Sequence, residues 1–349
     1  MSHPRPLLIA LPLDHETADI LAAATQLGQR LDAPLLVVHA LSRRRMESAR
    51  SEKERSDAAH SQLEVQLQPV RDAGVEVSEV LVEIGAAPEV VLTTAARAAA
   101  QMIVTGGGRP STVRRWVVGS VAETIVRSST VPVWVARGNP PDGRPLLCPV
   151  DFSPESMLGF KESVRLARLL KLPLALITVV EDEPSKREQA RERVLKLIAD
   201  HALDGLEVSF VVRTGDPAEA IVSAADDAGL LVIASRGYDP LVHEWLGPVT
   251  SRALRHSGCS ALTIRHRGEG HDDRTRSLTR LADLHQHAWG LLANDRSQEA
   301  LPILERLAEQ APANAVIQET FAIALEREGR QVEAKSRQEL AELIRTRIG

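Results

Sequence analysis

The sequence predicts an α/β protein of two doubly wound domains, each with a parallel five-stranded sheet, followed by an all-α C-terminal region of helical hairpins. Three observations carry that reading. Short apolar runs alternate with longer stretches of helical spacing. Most of the runs are apolar throughout rather than at every second residue, which suits parallel strands covered on both faces. The alternation runs once, repeats, and then gives way after Arg265 to helical periodicity alone.

In the first pass the strand-like runs are LLIAL (Leu7 to Leu11), LLVVHA (Leu35 to Ala40), VSEVLVEI (Val77 to Ile84), MIVT (Met102 to Thr105) and VPVWVA (Val131 to Ala136). Helical spacing fills the intervals Glu16 to Leu31, Arg44 to Arg71, Pro88 to Ala100 and Val118 to Ser128. The order then recurs. PLLCPVDFSPES echoes PLLIALPLDHET, LPLALITVV echoes APLLVVHAL, and aligning Asp14 with Asp151, Pro88 with Pro217 and Gly119 with Gly247 keeps the spacing nearly constant. This is a tandem duplication, divided by the turn-rich stretch RGNPPDG. The expected domains are residues 1–137 and 144–266, with linkers at 138–143 and 267–277 and a helical region at 278–349.

In that last region four helical segments follow one another: LTRLADLHQHAWGLLAND, SQEALPILERLAEQAP, NAVIQETFAIALEREG and QVEAKSRQELAELIRTRI. Ala288, Leu291 and Ala300 recur as Ala322, Leu325 and Ala334, each at a lag of 34 residues. That period, with small residues where paired helices approach, matches the tetratricopeptide pattern. About two such units are fewer than the three that usually bury a continuous core. The tail is therefore expected to dock against the sheet domains or against a second copy of itself.

Composition bounds the function. At 349 residues the chain exceeds what one core usually serves. Hydrophobic residues make up 44% and aromatics 3%, so aliphatic side chains must fill the cores. A net charge of -5 argues against a dedicated nucleic-acid surface, and no run reaches the ~18 apolar residues of a spanning helix, so neither nucleic acid nor membrane is an expected partner. Without an export signal the expected location is the cytoplasm. Cys148 lies in one apolar run and Cys259 just before another, which suits small buried hydrophobes. His285 and His287 lack ligand-spaced partners and read as helix-surface residues, so no metal is expected beyond Mg accompanying a nucleotide.

The motifs now point to a family. A Pro-x-Asp ends the first strand (Pro12 to Asp14), a Gly-x-Pro follows the third (Gly215 to Pro217 in the second copy), and a long glycine motif precedes VAETIVRSSTVPVWVAR. In these features residues 1 to about 267 resemble tandem universal stress protein domains, whose fold is that of the adenine nucleotide alpha-hydrolases. The resemblance implies a role in stress response and ATP binding in the first domain. It implies that the aspartate end of strand 1 holds adenine and ribose, that the glycine loop after strand 4 wraps the phosphates, and that a Gly-Ser pair opens the next helix beneath them. Carried over by position, the ligand residues are Pro12, Leu13, Asp14, Ala40, Thr105, Gly106, Gly108, Arg109, Gly119, Ser120 and Val121. It also implies pairing of the two domains through their last strands into an internal pseudo-dimer. Homodimerisation is a further expectation, and the helical tail is expected to recruit a protein partner.

Elementary chemistry supports such a site. Ligands in open parallel sheets bind beyond the carboxyl ends of the strands, where the strand order reverses. Consecutive glycines can turn N–H groups inward to form an anion nest, and a helix N-terminus adds more. Arg109, however, stands where the motif has its second glycine. At a positive φ it costs about 1 to 2 kcal/mol and its bulk obstructs phosphate, whereas its guanidinium is itself a phosphate ligand. The residues alone leave both outcomes open.

The second domain departs further. Asp151 and Gly237 remain, but Ala234 replaces the first glycine, and Gly247 is followed by Pro248, which lacks both a hydroxyl and an N–H. Two lost contacts at roughly 1 to 3 kcal/mol each make this a degenerate site, expected to be empty. No Walker motif and no nucleophile elbow is present, so an enzyme is not expected. Slow ATP hydrolysis remains as the enzymatic alternative, and a nucleotide-independent interaction scaffold as the non-enzymatic one.

Overall fold

The computed structural model describes residues 4–42, 49–108, 120–235, 247–265, 284–285, 287–292, 296–311 and 314–348. The chain separates into two compact units, residues 1–269 and 270–349.

The first unit alternates strand and helix: β1 (Leu7–Ala10), α1 (Thr17–Leu31), β2 (Leu35–Leu41), α2 (Ala49–Asp72), β3 (Val77–Ile84), α3 (Ala87–Arg97), β4 (Met102–Gly106), α4 (Ser120–Ser128) and β5 (Val133–Ala136). The second copy repeats this as β6 (Leu146–Pro149), α5 (Pro154–Leu170), β7 (Leu174–Val180), α6 (Pro184–Asp200), β8 (Val208–Thr214), α7 (Pro217–Ala225), β9 (Leu230–Ser235), α8 (Pro248–His256) and β10 (Ser260–Arg265).

All ten strands form one sheet in the order β3-β2-β1-β4-β5-β10-β9-β6-β7-β8. Pairing is parallel within each half, and the halves meet where β5 runs antiparallel to β10, with Leu262 opposite Trp134. The expected pairing of the last strands is thus made within one chain. Alternate residues feed opposite faces. Leu7 and Ile9 enter one core with Trp134, Leu146 and Leu262, while Leu8 enters the other with Val133, Val135 and Ala261. Both cores run through the β5/β10 seam, so burial as well as strand hydrogen bonds joins the halves.

Cys148 and Cys259 are free, buried thiols. Burial pushes Cys148 up to about 12 and Cys259 up to about 11, and both stay protonated and unreactive at neutral pH.

In the second unit, helical residues 287–292 (α9) precede α10 (Ser297–Gln310), α11 (Ala315–Arg327) and α12 (Gln331–Ile348). The six lag-34 residues Ala288, Leu291, Ala300, Ala322, Leu325 and Ala334 are all buried. All but Ala322 contribute, with Leu304 and Phe321, to the core between these helices. Asn314 caps α11, its side chain accepting from the N–H groups of Val316 at 3.0 Å and Ile317 at 3.1 Å. His285 differs from the surface reading. It is half-buried, with Nε2 2.9 Å from the Thr320 hydroxyl. No helix among the described residues is long and apolar enough to cross a membrane.

Candidate functional site

In the first half, β1 lies between β2 and β4, so the strand order reverses there and a crevice opens beyond their carboxyl ends. It holds a cavity of about 300 Å³. From the segment after β1 the lining residues are Pro12, Asp14 and Glu16; from β2, His39 and Ala40; from β4 and the loop after it, Thr105, Gly106 and Gly108. Ala87 and Val91 of α3 and Val121 and Ala122 of α4 complete the wall. Seven of the residues expected from the sequence therefore meet in one place. Leu13 is absent from the lining and packs against the core instead. Ser120 opens α4, and Arg109 and Gly119 lie outside the described residues.

Local bonding explains the shape at β1. Leu13 takes a φ of 59°, which costs a side-chain-bearing residue about 1 kcal/mol. The chain then turns so that Asp14 Oδ1 accepts the Glu16 N–H at 2.9 Å. Beside it the buried His39 sets Nδ1 2.6 Å from the Leu11 carbonyl, tying the ends of β1 and β2 together.

The glycine loop meets a side chain that the motif did not single out. The Gly108 N–H donates to the Glu16 carboxylate, and Gly108 has a φ of 85°. A Cβ on Gly106 would fall 2.7 Å from both Cδ and Oε1 of Glu16, so glycine is what admits the carboxylate here. On Gly107 a Cβ would fall 2.5 Å from Cγ of Arg137 and 3.0 Å from the Ala136 carbonyl.

Arg137 follows β5 and is 2% exposed. Its guanidinium crosses into the second half, donating to the Ser257 hydroxyl at 2.8 Å, to the Leu254 carbonyl in the last turn of α8 and to the Cys259 carbonyl just before β10. Its own N–H donates to the Ser260 hydroxyl at 3.0 Å. Burial pushes the guanidinium down to about 10, against the opposing pull of Cys259 and Glu16, so it stays charged at neutral pH. A cation at the negative end of a helix is favourably placed. Nε has no hydrogen-bond partner among the described residues.

In the second half Asp151 repeats the turn of Asp14, its Oδ1 accepting from the Ser153 N–H at 2.9 Å and from the Ser153 hydroxyl. Burial pushes the Asp151 carboxyl up, and its several hydrogen bonds outweigh that and leave it below the usual range. Ser153 caps α5, accepting the Ser156 N–H at 3.2 Å. The Ala234 carbonyl accepts from the Thr250 hydroxyl at 3.4 Å. Gly247 and Pro248 begin α8, with Pro248 in its first turn; Gly237 lies outside the described residues. Among the described residues no group of three or more His, Cys, Asp or Glu could hold a metal ion.

Glu16 and Arg137 are the site residues that motif matching missed. One signal was available for Glu16, since the duplicate carries Ser153 at the aligned position. Arg137 carries no such signal, because its partners lie about 120 residues away.

Two half-sheets joined by their last strands, the first with a crevice beyond β1, define a class of paired doubly wound α/β domains. The universal stress protein family model matches residues 5–137 and again 143–265, and the chain belongs to that family as a tandem member. It is 26% identical to a universal stress protein of Synechocystis over 129 residues, which is 36% of this chain and 74% of the relative. A universal stress protein from Archaeoglobus fulgidus superposes with a TM-score of 0.64 at 19% identity, covering 76% of this chain and 99% of that one. A candidate universal stress protein from Pseudomonas aeruginosa gives 0.61 at 18%, covering 80% and 98%. These likenesses establish the fold.

Proposed function

We propose that this tandem universal stress protein acts in stress response and that its first domain, residues 1–137, holds ATP. The observation that carries this reading is the cavity at the switch point, with Asp14 on one side and the Gly106 to Gly108 loop on the other. A volume of about 300 Å³ suits a nucleoside-sized group. Pro12, Asp14 and Ala40 would hold the base and sugar, and Gly106, Gly108 and the start of α4 would face the phosphates. Any Mg would arrive with those phosphates.

The second domain, residues 144–266, serves as the structural partner with a degenerate site. Ala234 stands in place of a glycine, and Pro248 offers no N–H to an anion at the start of α8. Residues 278–349 form a tetratricopeptide-like region that recruits a protein partner; the burial of all six lag-34 positions supports the repeat packing.

Mass analysis of small molecules released on denaturing the freshly purified protein, with calorimetric titration of ATP, tests the proposal. Binding that weakens about tenfold or more in Asp14→Ala, which is about 1.4 kcal/mol or more, is the expected result. An ATP affinity unchanged by that substitution, or no binding at all, overturns it.

A further inference from the structure

We propose that Glu16 sets the charge selectivity of the first-domain pocket: its carboxylate occupies the anion position of the Gly106 to Gly108 loop. An uncharged nucleoside enters with Glu16 in place, and a phosphorylated one enters only by displacing it. This deepens the nucleotide reading above and rests on it: ATP still binds, but with about tenfold lower affinity than the loop would give it were Glu16 absent.

The duplicate shows what the position does when it serves only the fold. Ser153 caps its own helix and also donates to Asp151. Glu16 is the N-cap of α1 and makes no side-chain cap bond. Its carboxylate is directed across the crevice, 92 residues along the chain, to the Gly108 N–H. A backbone N–H donated to a carboxylate is the same charge-assisted bond that such a loop gives to a phosphate oxygen.

A second observation marks this as a place for an anion. Arg137 packs under Gly107, keeps its charge while 2% exposed, and leaves Nε without a partner among the described residues. Its other guanidinium nitrogens are committed to Leu254, Ser257 and Cys259. The charge of Arg137 and the Gly108 N–H both favour an anion beside the loop, and Glu16 supplies it. A phosphate beside the Glu16 carboxylate would place like charges within a few ångströms, which disfavours the nucleotide and leaves a neutral nucleoside unaffected.

The test is titration calorimetry on the full chain with adenosine and with Mg-ATP, comparing the parent with Glu16→Ser and Glu16→Gln. The serine variant installs what the second copy already tolerates, and the glutamine variant keeps size and acceptor while removing charge. Both should bind ATP about tenfold more tightly, which is about 1.4 kcal/mol, with adenosine affinity changed by less than about twofold. Adenosine binding with no gain for ATP in either variant overturns the role of Glu16 and leaves the pocket reading intact. A gain in the serine variant alone means that bulk, not charge, excludes phosphate, and also overturns it. Failure of adenosine and ATP alike to bind any of the three proteins overturns the pocket reading and this proposal with it.

Discussion

Replacing Arg137 by methionine should destabilise the two-domain unit while preserving its fold. Methionine keeps the length of the stem under Gly107 but removes every donor. The Leu254 carbonyl and the Ser257 hydroxyl lose their nearest donor at a residue that is 2% exposed, whereas the contacts to the Cys259 and Ser257 carbonyls, at 3.3 and 3.4 Å, are long and contribute less. Two buried acceptors left unpaired cost about 2 kcal/mol each. Against that, the variant no longer buries a cation, a cost visible in the lowering of Arg137 to about 10. The net loss is about 2 kcal/mol, which for a unit of this size lowers Tm by roughly 4 to 8 °C. Differential scanning calorimetry at neutral pH measures it, with Arg137→Lys as a companion that keeps the charge but cannot span the same acceptors. A Tm within about 1 °C of the parent, or above it, would refute the assignment of Arg137 as the bond between loop and neighbouring domain.

Gly107→Ala should cost about 1 to 3 kcal/mol in urea denaturation, because the added carbon meets a pinned Arg137 stem and the Ala136 carbonyl. Gly247→Ser, where nothing lies within 4 Å of the new carbon, is the matched control and should be near neutral. Ser153→Ala removes the cap of α5 and should cost about 1 kcal/mol. Asp151 has a folded pKa below its unfolded value, so its contribution is full above the unfolded value and is lost as pH falls through the folded one. Ser153→Ala removes one cause of that lowering, and acid unfolding curves should show a shallower loss of stability below about pH 4. Asn314→Ala should cost the helical region about 1 kcal/mol, read by circular dichroism melting.

The strand and helix order was legible because its signals are local. Continuous apolar runs mark buried parallel strands, and β1 to β5 fall within or close to the runs expected for them. The lag-34 alanines likewise announced buried helix contacts from spacing alone. At the pocket, Asp14, Thr105 and Gly106 were legible because backbone geometry at strand ends constrains residue type. Glu16 was not, since a carboxylate at a helix start is unremarkable until the chain brings Gly108 against it. Arg137 reads as the tail of an apolar run, and only the antiparallel seam shows that its charge belongs to α8 of the other half. His285 reads as a surface residue from sequence because its partner, Thr320, lies one helical hairpin away.

The seam between β5 and β10 has a consequence for how the halves can change. Separate subunits that associate through their last strands are identical, so a substitution in one appears in its mate as well. Here each partner is supplied once, by the same polypeptide, and the stoichiometry is fixed at synthesis. Glu16 can therefore face one glycine loop while its counterpart Ser153 caps a helix, and neither residue imposes its chemistry on the other half.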